Sequence, residues 1–326
     1  MAHSFLRMLV TCFLSASVMV TKVLALKTSA LPRLSSRYFD RLKMDPSKLD
    51  KEPTLGKLQK LHEAHLKLIP FENLAQHGAF GGPATLDMHQ TAEKILNRQR
   101  GGFCFELNSL FSCFLIELGY VVTRVPAVVY TPEGFRDSPT HMVLFVAIDS
   151  ISSKCLYFAD VGFGEPAIHA LNYSVFDTEQ VTPDGMQSLL KREGEDVILY
   201  WMKEGKWTPR LKWEYKSSIG DGFDVSSFDQ YLQLVQDPTS IFSQKSIVTL
   251  VNREYKISMA GNKLKVTGPP RFVAPGIEGS PVIEYCRSEQ EAGKILRDRF
   301  GIPRQETDGL NLQKSTQASE AIWSNF

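Results

Sequence analysis

The stretch that decides the fold is Arg100-Gly101-Gly102-Phe103-Cys104-Phe105-Glu106-Leu107-Asn108. The glycine pair lets the chain turn without a Cβ penalty. The residues after it carry an apolar repeat with helical spacing, which predicts a helix that begins at or beside Cys104 and ends at Gly119. The repeat consists of Leu107, Leu110, Phe111, Phe114, Leu115 and Leu118.

Cys104 has two interpretations at this position. The positive end of a helix and the neighbouring Arg100 both favour the thiolate, which is the reactive form of a cysteine. A buried structural cysteine is the alternative, because free cysteines are among the most buried residues. The partners of Cys104 in the fold therefore decide between a nucleophile and a core residue.

The composition is that of a globular protein and excludes several classes of function. The chain has 326 residues and a formal net charge of +1, and no basic cluster favours a nucleic-acid partner. The five cysteines have unpaired spacing and form no CxxC motif, so they indicate neither a zinc site nor a disulfide framework. We therefore expect no bound metal and no nucleic acid, and the cysteine pattern suits a reducing compartment.

The N-terminus has the pattern of a targeting leader. An apolar run covers residues 8–20 and is followed by the small-residue stop Val23-Leu24-Ala25, with no acidic residue before Asp40. The run is short for a membrane span, so it is typical of a cleavable signal or an organelle-directing leader. An extension without targeting value is the alternative. Residues 1–34 are therefore assigned to a leader or a disordered extension, with membrane contact only if the apolar run is retained.

The chain changes from helical to β periodicity at Tyr120. Residues 35–119 are predicted to form a small helical bundle, in which one helix opens at Pro53-Thr54 and stops at Pro70. Residues 69–74 are predicted as a turn. On the same helix, His62 and His65 share a face. No HExxH pattern and no third ligand lie nearby in the sequence, so we interpret this face as solvated or half-buried rather than as a metal site.

Residues 120–230 carry several short strand patterns in succession, which predict an antiparallel sheet or barrel. The strands are predicted at residues 121–130, 141–148, 155–159, 197–202 and 211–215, with long polar loops in the second half. Residues 231–326 mix strand patterns at 247–251, 255–259 and 264–266 with a helix. That helix opens with the capping box Ser288-Glu289-Gln290-Glu291 and ends at Gly301 and Pro303.

Two of these strands are expected to form a hairpin across the polar turn at residues 149–154. If Ile148 pairs with Cys155, Asp160 faces Val143, and His141 lies one same-face step away. An imidazole and a carboxylate in these positions can share a hydrogen bond.

Cys104, His141 and Asp160 then fit a nucleophile, a proton acceptor and a group that orients the imidazole. Each residue alone also has a structural interpretation, since an Asp before a Gly is usually a turn residue.

These residues resemble the arylamine N-acetyltransferases. The resemblance covers residues 38–166 and returns at 237–250, whereas residues 172–228 follow no pattern of that family. The family also usually lacks a leader. The matching motifs are Arg100-Gly101-Gly102-Phe103-Cys104 with Glu106 and Asn108, Thr140-His141, Asp160-Val161-Gly162-Phe163-Gly164, and Ile69-Pro70-Phe71-Glu72-Asn73-Leu74.

The resemblance implies an α+β fold with three parts. These are an N-terminal helical bundle (35–119), a central antiparallel β-barrel (120–230) and a C-terminal α/β lid (231–326), with a papain-like Cys-His-Asp site between the first two. It implies a ping-pong reaction in which Cys104 takes acetyl from acetyl-CoA and an arylamine or arylhydrazine then accepts it. Because family members are usually cytosolic, the resemblance implies a cytoplasmic location. The alternative is a secretory or organelle-directed location, which residues 1–25 would specify.

The resemblance also implies roles for six residues around the triad. Phe163 and Phe103 would contact the substrate, and Gly162 and Gly164 would leave room for the CoA arm. Arg100 and Glu106 would give structural support. On sequence alone the two glycines are equally well explained as turn residues.

Three alternatives remain open. An amide synthase of the same fold would use another acyl donor. A papain- or transglutaminase-like peptidase has its Cys, His and Asp in the same chain order, although this sequence has no Trp after Cys104 and no propeptide pattern. A non-catalytic module with a decayed site is disfavoured by the intact trio.

Overall fold

The computed structural model describes residues 34–79, 83–149, 154–268, 281–307 and 310. The predicted leader lies outside these residues except for Leu34. No helix within the described ranges has the length and hydrophobicity to cross a membrane.

The N-terminal part is helical, as predicted. Helix α2 (Leu55–Leu68) begins after Thr54, whose side chain caps the Lys57 N–H at 3.2 Å. Helix α4 (Cys104–Glu117) begins at Cys104, and Gly119 follows its end with a φ of 94°. The described helices of this part are α1 (Leu34–Leu42), α2 (Leu55–Leu68), α3 (Met88–Ala92), which continues as a π-helical turn (Glu93–Asn97), and α4 (Cys104–Glu117).

Helix α4 is almost wholly buried because its apolar residues surround it on most sides. The ring of Tyr38 on α1 stacks on Phe114 of α4 at 4.1 Å between centroids. On the other side, α4 packs against the central sheet through residues such as Met142 and Leu144. The nucleophile helix is therefore a central core element.

The strands of the described residues form two antiparallel sheets. They are β1 (Phe71–Glu72), β2 (Val121–Thr131), β3 (Gly134–Phe135), β4 (His141–Asp149), β5 (Lys154–Ala159), β6 (Leu171–Asn172), β7 (Glu179–Val181), β8 (Gln187–Glu193), β9 (Asp196–Lys203), β10 (Lys206–Glu214), β11 (Ile247–Val251), β12 (Lys256–Ala260), β13 (Lys263–Thr267) and β14 (Val282–Tyr285). The larger sheet has the order β6-β5-β4-β2-β10-β9-β8-β7, and the smaller sheet has the order β1-β11-β12-β13-β14.

The larger sheet curls into a nearly closed barrel around an apolar interior that includes Phe145, Trp201 and Trp213. Its two edge strands are joined by a side chain. Gln180 on β7 accepts a hydrogen bond from the Asn172 N–H at 2.8 Å and donates to the Asn172 carbonyl at 2.9 Å. This satisfies backbone groups that would otherwise be exposed at the edge.

The middle of the chain differs from the sequence prediction. The region predicted as long polar loops contains the strands β6, β7 and β8. The reason is that β6 and β7 are only two and three residues long, and such strands give no detectable alternation. Strand β8 has seven residues but buries three in succession, so it does not alternate either. In the part of the chain that the structure describes, four further α-helices follow: α5 (Tyr215–Ile219), α6 (Asp229–Gln236), α7 (Ile241–Gln244) and α8 (Glu289–Phe300).

The predicted turn at residues 69–74 is wrong in part. Phe71 and Glu72 form strand β1, which pairs with Thr249 and Val248 of the C-terminal sheet. A two-residue strand whose partner lies far along the chain has no local sequence signal. As a result, the N-terminal part contributes the edge strand of the smaller sheet.

Candidate active site

Cys104 occupies the first position of α4 and is 5% exposed. Its thiol donates to the Thr140 carbonyl at 3.7 Å, and Cys104 acts electrostatically on the imidazole of His141. The N–H groups in the first turn of a helix have no partner within the helix and favour negative charge nearby. The sulfur thus lies at the end of α4 that can stabilise negative charge developing in a reaction.

The start of α4 is fixed by Glu106. One carboxylate oxygen accepts from the Phe103 N–H at 3.0 Å, and the group is ion-paired with Lys94 at 2.6 Å. A carboxylate at this place satisfies an N-terminal donor of the helix. Glu106 therefore holds the backbone immediately before Cys104.

Arg100 is fully buried and contacts two carboxylates. Its guanidinium lies 2.8 Å from Glu72 and 3.6 Å from Glu306. The sequence suggested that this charge favours the Cys104 thiolate, but the structure directs it to these acids. Because Glu72 also accepts the Leu74 N–H at 2.7 Å, the ion pair ties the loop before Cys104 to the segment around β1.

His141 and Asp160 meet as the predicted hairpin requires. Strands β4 and β5 pair Ile148 with Cys155, which is the predicted register. His141 opens β4, Asp160 follows β5, and His141 Nε2 lies 2.7 Å from Asp160 Oδ2. Because this contact occupies Nε2, proton transfer by the ring would use Nδ1.

The charge of Asp160 determines the protonation of His141. Burial alone would lower the pKa of the imidazole, but the neighbouring carboxylate, its hydrogen bond and Cys104 raise that pKa to about 10. For Asp160, burial raises the pKa, while His141 and the hydrogen-bond donors outweigh it and leave the pKa below its usual value. The pair is therefore an imidazolium and a carboxylate near neutral pH.

Three further groups hold Asp160. Its Oδ1 accepts from the Asn108 side chain at 2.9 Å and from the Gly162 N–H at 2.8 Å. Its own N–H donates to Nε2 of His62 at 3.2 Å. Asn108 is itself fixed, because it donates to the Met142 carbonyl at 2.7 Å.

Sequence reasoning did not assign roles to Asn108 and His62. Asn108 lies one helical turn after Cys104 on the same face, so its spacing was a usable signal. His62 had no such signal, since its contact to Asp160 joins residues 98 apart. The prediction that His62 and His65 form a solvated or half-buried face is wrong: they are 1% and 0% exposed, because α2 turns this face into the core against Phe111.

The two predicted substrate-binding rings lie in different environments. Phe163 is half-buried, and its ring lies edge-on to His141 at 5.1 Å between centroids. Phe103 is 2% exposed and packs against Phe71 and Phe242, which differs from the open position expected for a substrate contact.

The two predicted binding glycines have structural reasons to be glycine. A Cβ on Gly162 would lie 2.7 Å from the Cα of Cys104, so this glycine lets the Asp160 loop approach the nucleophile helix. Gly164 has a φ of 77°, a conformation that disfavours other residues. Close packing against Cys104 thus explains why residue 162 is a glycine, whether or not a CoA arm passes there.

The described residues contain no group of three His, Cys, Asp or Glu side chains placed to hold a metal ion. The assembled side chains are a cysteine, an imidazole and an orienting carboxylate. Chemically, this arrangement can attack an acyl carbon, form an acyl-cysteine and pass the acyl group on.

Comparisons with known proteins agree with this chemistry. The model of the N-acetyltransferase family matches residues 54–308. The chain is 28% identical to the arylamine N-acetyltransferase of Mycolicibacterium smegmatis over 80% of this chain and 90% of that protein. It is 40% identical to the arylamine N-acetyltransferase of Mycobacterium tuberculosis over a shorter stretch, 39% of this chain and 44% of that protein.

Solved structures show the same fold. The arylamine N-acetyltransferase of Mycobacterium marinum in complex with CoA superposes with a TM-score of 0.71 at 26% identity, covering 86% of this chain and 96% of that chain. The M. smegmatis arylamine N-acetyltransferase gives a TM-score of 0.73 at 26% identity, over 87% of this chain and 97% of that one.

Proposed function

The chain belongs to the arylamine N-acetyltransferase family, and we propose that Cys104 carries the acetyl group that this enzyme moves from acetyl-CoA to the nitrogen of an aromatic amine or hydrazine. The observation that supports this most strongly is the 2.7 Å contact between His141 and Asp160 beside the thiol at the start of α4. Within the fold, residues 35–119 supply the nucleophile and residues 120–230 supply the imidazole and the carboxylate.

In the first half-reaction, the Cys104 thiolate attacks the thioester carbonyl of acetyl-CoA. The bond between the carbonyl carbon and the CoA sulfur breaks, and the imidazolium of His141 gives its proton to the departing thiolate. The products are free CoA, an acetyl-cysteine and a neutral His141. The Asp160 carboxylate keeps the ring in place throughout.

In the second half-reaction, the amine nitrogen attacks the acetyl-cysteine carbonyl. Neutral His141 takes the proton from this nitrogen as the bond to the Cys104 sulfur breaks. The products are an N-acetylated amine, the Cys104 thiolate and the His141 imidazolium. The starting state is restored without a metal or a redox step.

Intact-mass spectrometry tests the first half-reaction. The wild-type chain mixed with acetyl-CoA, without an acceptor, is expected to gain one acetyl group and to lose it when aniline is added. Cys104→Ser should fold and show no acyl-enzyme. Cys113→Ser is the matched control, because Cys113 is a second thiol on the same helix, and it should be acetylated like wild type.

The same measurement separates the alternatives. No adduct with acetyl-CoA but an adduct with another acyl thioester would favour an amide synthase of this fold. Cleavage of a peptide without any acetyl adduct would favour a cysteine peptidase. Acetylation of Cys104→Ser at the wild-type rate would contradict the role of Cys104.

A further inference from the structure

Lys94 is a buried cation that the acetyl-transfer steps do not use. It lies in the π-helical turn that continues α3, and it is 9% exposed. In this turn the Arg98 N–H donates at 3.0 Å to the Glu93 carbonyl, five residues earlier. Turns of this kind are rare and are frequently found at functional sites. The side chain that this turn buries is therefore a candidate for a role in the reaction.

The partner of Lys94 is Glu106 in the first turn of α4. Nζ of Lys94 donates to both carboxylate oxygens, at 2.6 and 2.7 Å, and Glu106 is 1% exposed. The same carboxylate accepts from the Phe103 N–H at 3.0 Å and from the Thr85 N–H at 3.4 Å. Because the pair is buried, water and salt screen its charges much less than those of a surface pair.

Glu106 has two opposite effects on the nucleophile helix. Its hydrogen bond to Phe103 satisfies a donor at the start of α4 and fixes the backbone before Cys104. Its negative charge, however, lies at the end of α4 whose positive field acts on the Cys104 sulfur. A carboxylate without a partner there would oppose negative charge on the sulfur. Lys94 removes this conflict, because it neutralises the charge and leaves the hydrogen bond in place.

The neighbouring cations are engaged with other acids. Arg100 lies 2.8 Å from Glu72 and 3.6 Å from Glu306, and Arg98 is ion-paired with Glu306 as well. The charge of Lys94 also acts on Glu72, which has Arg100 as its closer partner. Among the residues that the structure describes, the neutralisation of the carboxylate at the start of α4 therefore falls to Lys94.

On the basis of the acetyl-transfer function above, we propose that Lys94 is a positioning residue of the reaction. It neutralises Glu106, so that this carboxylate fixes the start of α4 without opposing the negative charge on Cys104. The sulfur is negative twice in each cycle, when it attacks the thioester and when the acetyl group leaves it for the amine. Lys94 thus acts through Glu106 and not on the reacting atoms.

The test is a charge cycle of four proteins: wild type, Lys94→Met, Glu106→Gln and the double variant. The pair is neutral in wild type and in the double variant, negative in Lys94→Met and positive in Glu106→Gln. A glutamine can still accept from the Phe103 N–H. The measured quantity is the rate of Cys104 alkylation by iodoacetamide as a function of pH. Peptide mass spectrometry reads the reaction at Cys104, because the chain has five cysteines.

The four pH profiles should follow the charge of the pair. We expect the midpoint to rise by about one pH unit in Lys94→Met and to fall by a similar amount in Glu106→Gln, because an added unit charge near a buried site shifts an equilibrium about 5- to 30-fold. The midpoint of the double variant should return to that of wild type. His141 and Asp160 act on Cys104 in all four proteins, so their contribution to the profiles is shared.

Acetylation of Cys104 by acetyl-CoA gives a second readout. Its rate at pH 7 should fall about 5- to 30-fold in Lys94→Met, and Lys94→Arg, which keeps the charge, should recover most of it. Lys67→Met is the matched control, because it removes one positive charge from an exposed position of α2, and it should match wild type. Thermal unfolding shows whether each variant is folded. If Lys94→Met does not fold, the downward shift in Glu106→Gln and its reversal in the double variant still test the proposal.

Coincident pH profiles for the four proteins would overturn the proposal. Shifts of Lys94→Met and Glu106→Gln in the same direction would also overturn it, because structural damage moves both variants alike whereas charge moves them apart. Iodoacetamide replaces acetyl-CoA in this experiment, so its outcome does not depend on the proposed function. A wild-type Cys104 that is alkylated but never acetylated would contradict the proposed function, and the order of the four profiles would still decide the role of Lys94.

Discussion

Two buried histidines contact different groups of Asp160, and their protonation differs. His141 on β4 contacts the carboxylate, whereas His62 on α2 accepts from the backbone N–H. They are 2% and 1% exposed. Yet the pKa of His141 is raised to about 10, and that of His62 is lowered to about 4.

The difference comes from the partner group and not from burial. Burial disfavours the charged form of both rings. His141 faces a carboxylate that reverses the effect, while His62 faces the Ile168 carbonyl at 2.9 Å and an amide N–H. Since a carbonyl can only accept, His62 is the neutral tautomer that donates from Nδ1. The contact with His141 thus serves proton transfer, whereas the contact with His62 holds the backbone of Asp160 in place.

The largest effect is expected for Asp160→Asn, which removes the charge that makes the environment of His141 different from that of His62. Without the carboxylate, burial should lower the pKa of His141. The asparagine amide would also no longer hold the imidazole of His141 in one orientation. We expect kcat/KM for acetyl-CoA to fall about 10³- to 10⁴-fold, the loss seen when a triad acid becomes an amide. The rate of Cys104 acetylation, followed by mass spectrometry, measures it.

Asp149→Asn is the control for this change, because it removes an exposed negative charge at the far end of β4 in the same hairpin. Its acetylation rate should match wild type. If Asp160→Asn lost less than about ten-fold, the carboxylate would not be what sets His141 apart from His62.

A smaller effect is expected for Asn108→Ala, which leaves the charge of Asp160 in place but removes a donor that orients it. The change also leaves the Met142 carbonyl and the Val161 N–H without their partners at 2.7 and 2.9 Å. We expect a loss of about 2–4 kcal/mol in the free energy of unfolding, since each unsatisfied buried group costs about 1–3 kcal/mol. Urea denaturation measures this loss.

The same variant should acetylate Cys104 about 10- to 100-fold more slowly, because one of the hydrogen bonds to the carboxylate is lost. Ser109→Ala is the control, since Ser109 is equally buried on α4 and its hydroxyl contacts only the Met142 sulfur, at 3.6 Å, among the described partners. A rate for Asn108→Ala equal to that of Ser109→Ala would show that the orientation of Asp160 does not limit acetylation.

The contact between Asp160 and His141 could be predicted from the sequence, whereas the contact between Asp160 and His62 could not. The β4–β5 hairpin is local, so two strand patterns and the polar turn between them suggested the pairing of Ile148 with Cys155, and the structure has this pairing. The helix at Cys104 was equally clear, because its apolar repeat is continuous. Together these two elements predicted the Cys104, His141 and Asp160 constellation.

Long-range contacts explain why the other features of the structure could not be predicted from the sequence. His62 contacts Asp160, and Phe71 pairs with Thr249, only because distant segments pack together. The pairing of Arg100 with Glu72 was hidden for the same reason: the sequence shows a charge beside Cys104 but not the acid that neutralises it. Charge and periodicity are local properties, whereas the choice of partner is decided by the fold.

The smallest effect is expected for His62→Gln, and it tests the supporting side of Asp160 through its pH dependence. The folded pKa of about 4 lies below the unfolded value of about 6.5. Between these values the unfolded chain binds a proton that the folded chain does not, so wild type loses up to about 3 kcal/mol of stability as the pH falls from 6.5 to 4. Glutamine has no such titration. At pH 7 the variant should be about 1–3 kcal/mol less stable because a buried hydrogen bond is disturbed, and this difference should shrink or reverse by pH 4. Urea denaturation from pH 7 to pH 4 measures this difference in stability.

His169→Gln is the control, because it replaces a half-buried histidine. Parallel stability curves for wild type and His62→Gln would mean that the pKa of His62 does not change on folding. The difference in protonation between His62 and His141 would then be lost.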